Sequence, residues 1–196
     1  MPEKLNLTSE VRLTLPEWVD ALVDLSRVYA DDEARTRLAV ELSTATLRPG
    51  GGGPFAAVIF GPDDRVVAAG VNCVLPLSCS AAHAEMMACM LAQQRLQRAR
   101  LNRDAGNRPI GPYTLATSSQ PCCQCYGAIV WAGIDRLVMA ARAEDVQALT
   151  TFDEGPLPAD WIGELERRGI EVVRDVCRED ACNVLRAYTE SGGATY

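Results

Sequence analysis

Two short runs of β-branched and small apolar residues, FAAVIF (55–60) and RVVAAGVN (65–72), stand four residues apart, and the four between them are GPDD. That spacing and those turn residues read as a hairpin, so the sheet of this chain begins with an antiparallel pair. After it, helical and extended spacing alternate. A helix over about Ala82 to Arg98 precedes the strand YTLAT (113–117), and a helix from Pro121 precedes RLVMAA (136–141). A short helix near Glu144 to Leu149, a helix around Asp160 to Arg168, the strand IEVVR (170–174) and a last helix from about Glu179 to Thr189 follow. A pattern of β-β-α-β-α-β-α ending in a further strand and helix predicts an α/β fold, a three-layer α/β/α sandwich with a mixed central sheet of about five strands.

The 196 residues are of single-domain length. Residues 1–47 are expected as an N-terminal helical extension packed on that domain, because apolar residues fall at helical spacing from Leu15 to about Leu47, with a break at Asp31, Asp32 and Glu33. The glycine-rich RPGGGGPF (48–55) lacks the Gly-Lys-Ser/Thr ending of a phosphate loop and precedes a strand, so it is read as a place where backbone comes close to something. A net charge of −7 argues against a polynucleotide partner and for a small ligand. There is no apolar run of membrane-spanning length, and MPEKLNLTSE does not resemble a signal peptide, so a cytoplasmic protein with no membrane partner is expected. Its eight cysteines are then reduced thiols that serve metals, catalysis or packing.

The single histidine, His83, heads the helix of SAAHAEMMACM, with Glu85 two residues on. The second cluster is SSQPCCQCYGAIVWAG (118–133). Pro121 suits the first turn of a helix and Ser118 or Ser119 can cap it. Cys122 and Cys125 then share one helical face close to a helix N-terminus, which favours thiolate. With His83 they make three ligands for a soft metal, one fewer than a structural zinc site uses, and a catalytic zinc keeps that fourth position for water. Glu85 in the first turn can reach such a water as proton carrier. A redox pair is disfavoured by the third thiol, Cys123, and a structural zinc site by the lack of a second CxxC or CxxH. Cys73, Cys79, Cys89, Cys123, Cys177 and Cys182 show no ligand spacing and are read as small core residues.

The order GPFAAVI, GVN, HAE and PCxxC resembles the cytidine deaminase-like superfamily, and within it the bacterial guanine deaminases, including the branch that accepts aminotriazines such as ammeline. The H-x-E and P-C-x-x-C pair is a recognised signature of zinc deaminases. The resemblance implies one zinc per subunit on His83, Cys122 and Cys125, with Glu85 moving protons while water replaces the ring amine and ammonia leaves. It also implies that Asn72 hydrogen-bonds the ring edge, that Phe55 stacks on it, that backbone at Ala84 helps bind it, and that Trp131 belongs with these substrate-binding residues. TFDEGP (151–156) resembles a segment in which an acid faces the ring, so Glu154 is assigned a second proton-handling role, with its neighbour Asp153 as the alternative. A homodimer is implied, in which the tail of one subunit covers a pocket and brings Tyr196 near the substrate. The rival readings are a cytosine or nucleoside deaminase, a tRNA adenosine deaminase and, outside catalysis, a zinc-binding structural or interaction module.

Overall fold

In the computed structural model, which describes residues 10–195, β1 (Ala56–Phe60) and β2 (Val66–Val71) pair antiparallel around the GPDD turn. β3 (Thr114–Ser119) lies antiparallel on the other edge of β1, and β4 (Arg136–Ala141) and β5 (Glu171–Val173) then add in parallel. The sheet order is β2-β1-β3-β4-β5, so the expected mixed five-stranded sheet is the one observed.

Eight helices are described: α1 (Trp18–Leu22), α2 (Asp32–Ala45), α3 (Val74–Leu77), α4 (Ala84–Leu96), α5 (Cys123–Ala132), α6 (Ala143–Leu149), α7 (Trp161–Glu166) and α8 (Arg178–Glu190). The period-2 alternation of β1 divides the core between them. Ala56, Val58 and Phe60 pack with Leu38 and Leu42 of α2. Ala57 and Ile59 face the other way, onto Ala88 and Ala92 of α4 and Ile129 of α5. Every residue of β1 is therefore buried, as a strand covered on both faces must be. Truncating Ile59 to alanine is expected to cost about 2–5 kcal/mol, the usual range for a fully buried aliphatic chain.

Local structure departs from the sequence reading at the first helix and at the cap of α5. The first helix is only five residues long, and Leu22 and Leu25 beyond its buried Val19 are exposed. α2 lies directly on the sheet: Asp32 at its start takes a two-pronged ion pair from Arg136 of β4 and a hydrogen bond from Arg35, which also reaches Asp64 in the hairpin turn. Ser118 and Ser119 belong to β3 instead of capping the next helix. Ser119 is paired with Ala141, and the Ser118 hydroxyl accepts the Ala56 N–H at 3.1 Å.

Candidate active site

The sheet delivers two helix N-termini to one point. β2 ends at Val71, Asn72 and a short turn through α3 follow, and α4 starts with His83 as its extended N-cap residue and Glu85 in its first turn. β3 ends at Ser119, and α5 starts with Cys122 as its extended N-cap and Cys125 one turn in. Positive partial charge from both helix ends therefore converges where the thiols lie, which favours thiolate.

His83 Nδ1 is 3.5 Å from Cys122 Sγ, and one ligand atom from each of His83, Cys122 and Cys125 lies within 4.8 Å of the others. A tetrahedral zinc with Zn–S of about 2.3 Å and Zn–N of about 2.0 Å holds its sulfur and nitrogen ligands about 3.5 Å apart, so this cluster fits that ion, and two thiols with one imidazole are a donor set zinc takes. The electrostatics agree. The hydrogen bond from Cys125, with a second from His83, pulls the Cys122 thiol down to about 4 in spite of its burial. The same pairing, with burial, holds Cys125 well above the usual thiol range.

Two acids border the cluster. Glu85 is 6% exposed, and its carboxylate accepts from Cys125 Sγ at 3.3 Å and from the Thr117 hydroxyl at 3.4 Å. Burial, and then the charge on Cys122, raise its pKa to about 7. Glu154 is 8% exposed, and burial followed by the charges of Cys122 and Glu85 raises it to about 8. Asp153 also borders the cavity but is exposed, its carboxylate accepting the Gly155 N–H at 2.9 Å, so Glu154 is the buried one of the two. Burial thus favours the neutral form of both acids.

Glu85 and Glu154 share a cavity of about 260 Å³ with Phe55, Asn72, Ala84, His83 and Cys122. The glycine-rich loop explains its own composition here. A Cβ on Gly52 would collide with the Asn72 carbonyl, and one on Gly51 with the carbonyl of Thr46. That close approach lets Gly53 N–H donate to Asn72 Oδ1 at 3.3 Å, which also receives Val74 N–H at 3.2 Å. Phe55 meets Phe152 edge to face at 5.1 Å, and Phe152 stacks on Tyr188 at 5.9 Å.

Not every expected residue is brought to this cavity. Trp131 does not line it: nine residues after Cys122 on a helix that runs away from the cluster, roughly 13 Å at 1.5 Å per residue, it is 77% exposed. Cys123 is exposed as well, not a core residue, and Cys79 and Cys177 are only half-buried. Tyr196 lies outside the described residues. Sequence reasoning missed Phe152, Gln120 and Ser119 on the cavity wall and Thr117 beneath Glu85. Phe152 was within reach as the one aromatic residue of TFDEGP, whereas the other three look like ordinary strand-end residues.

A His/Cys/Cys cluster at two helix ends, with a buried glutamate beside it under a mixed five-stranded sheet, defines a zinc-binding hydrolytic deaminase. The chain belongs to the cytidine and deoxycytidylate deaminase zinc-binding region family, whose model matches residues 30–141. It is 40% identical to the guanine deaminase from Nitrosomonas europaea, with 94% of this chain and 99% of that one covered and a TM-score of 0.85. It is similar to a crystal structure in complex with 8-azaguanine at 42% identity, covering 93% of this chain and 98% of that chain, with a TM-score of 0.85. Guanine deaminase of Bacillus subtilis is 34% identical over 122 residues, 62% of this chain and 71% of the relative. No helix among the described residues is long and apolar enough to cross a membrane.

Proposed function

We propose that the chain converts guanine and water to xanthine and ammonia, and that it also accepts the aminotriazine ammeline. The observation that carries this reading is Glu154, a second buried acid on the wall of the cavity that holds Glu85. A second proton carrier beside the first gives the site a group that can serve another edge of a ring rich in nitrogen. The cavity of about 260 Å³ is smaller than the roughly 300–1,000 Å³ of drug-sized pockets, which favours a free base over a nucleoside.

In this reading one zinc per subunit is held by His83, Cys122 and Cys125, and when bound it supplies a Lewis acid that lowers the pKa of a water to about 7. Glu85 takes the proton that the attacking water loses and returns it to the ring nitrogen beside the amine, then moves a second proton to the departing nitrogen. The ring carbon gains an oxygen and loses ammonia. Asn72, its Oδ1 committed to Gly53 and Val74, reads a ring acceptor through its Nδ2 donor. Phe55 stacks on the ring, the Ala84 backbone at the first turn of α4 supplies a donor, and Glu154 in its protonated form donates to the far edge. The enzyme works as a cytoplasmic homodimer, with Tyr196 of a closing tail near the substrate.

Ammonia release measured from guanine, ammeline, cytosine, adenine and their nucleosides tests this. Guanine or ammeline should exceed cytosine and adenine in kcat/KM by at least about 100-fold, because buried polar groups left unmatched reject the wrong ring strongly. Rapid deamination of cytosine with guanine inert would replace this reading with that of a pyrimidine deaminase.

A further inference from the structure

α5 begins under a constraint that its neighbours resolve. A helix leaves its first N–H groups without partners, and an N-cap side chain ordinarily satisfies one of them. Cys122 occupies the N-cap position, and its Sγ lies between His83 and Cys125 in the ligand cluster, so it is not available to the first N–H of α5. The first helical N–H, that of Cys123, is satisfied by the backbone carbonyl of Glu154 at 3.0 Å. The loop carrying the second acid therefore caps the helix carrying two of the ligands.

The next residue makes that contact possible. Gly155 has a φ of 66°, and a Cβ added there would sit 2.7 Å from Cys123 Sγ, closer than any real Cβ contact. Only glycine fits, both for the backbone conformation and for the approach. The Gly155 N–H then closes onto the Asp153 carboxylate at 2.9 Å, a local turn that holds Asp153 exposed at the rim of the cavity while Glu154 is buried in its wall.

We infer that Cys123 and Gly155 are positioning residues for Glu154: together they form the mount that sets how deep its carboxylate reaches into the cavity, so the second acid and the metal cluster are registered on a single helix turn. The inference rests on the proton-handling reading of Glu154. Cys123, the cysteine of this motif that is not a ligand, acquires a role through its contact with the loop.

A double-mutant cycle on the zinc-loaded enzyme tests the mount. Glu154→Gln alone should slow kcat at least about 10-fold. Gly155→Ala should keep zinc and lower kcat by a similar factor, and in the Glu154→Gln background it should cost less than about twofold, since its target is already gone. Adding Cys123→Ala to Gly155→Ala removes the colliding sulfur and should restore at least about threefold. Should Gly155→Ala fail to fold, Cys123→Leu presses on the loop from an exposed helix position with no change in backbone φ, and should show the same loss of kcat and the same non-additivity. A wild-type kcat in both Gly155→Ala and Cys123→Leu, or an equal cost with and without Glu154, overturns the mount while leaving Glu154 in its role. A wild-type kcat in Glu154→Gln itself overturns both.

Discussion

Two buried glutamates meet in the cavity, and they are held by opposite means. Glu85 sits in the first turn of a 13-residue helix, so its backbone is fixed by α4, and its carboxylate rests between Cys125 and Thr117. Glu154 sits in an irregular stretch between α6 and α7, tied to the cluster by its own carbonyl on Cys123 N–H and walled by Phe152. Burial is the leading cause of the raised pKa of both. Regular structure thus delivers one acid as a fixed part of the metal site, while loop packing delivers the other as a separately adjustable part.

The comparison breaks most sharply at Glu85. Glu85→Ala should retain zinc and the fold and lose about 10³-fold or more in kcat, because positioned proton transfer is worth about 10²–10⁴. A variant with nearly normal turnover would remove the division of labour altogether.

Glu154→Gln sharpens it in a second observable. With the carboxyl raised from 4.5 to about 8, the fold favours the protonated form; that stabilisation is complete below the unfolded pKa and is lost as pH rises towards 8, at most about 1.4 kcal/mol per pH unit. Zinc-free Glu154→Gln, which needs no proton to stay neutral, should therefore melt a few degrees above the parent at pH 8.5 and level with it at pH 4.5. Equal melting shifts at both pH values would mean that the carboxyl is solvated. The smallest effect is expected at Cys123→Ser, which should keep its full zinc content while Cys122→Ser loses it. The reverse pattern would redraw the ligand set.

The same contrast explains what the sequence made legible. The sheet and its layers follow from alternation and turn residues, and the His83 and Cys122–Cys125 positions from their place at helix starts, because local geometry decides both. Glu154 could be singled out only by resemblance, with Asp153 left as an alternative, since its burial depends on Phe152 meeting Phe55 nearly a hundred residues away and on Gly155 passing over Cys123. Cys123 was misread as core because a cysteine without ligand spacing was taken as a small packing residue, yet the α5 surface at that position faces the loop and solvent. Trp131, at the far end of α5, does not line this cavity: a shared helix does not mean a shared end.

The strand order has a consequence for how the metal site matures during synthesis. β3, which leads into the cysteine pair, is flanked by β1, made before it, and by β4, made after it. When Cys125 is joined to the chain all three expected ligands have been made, but β4 and the loop that caps α5 have not. Glu154 arrives some thirty residues later, and only then is the first turn of that helix closed. The donors of the His/Cys/Cys cluster thus all precede in the chain both the second neighbour of β3 and the loop that closes the first turn of α5.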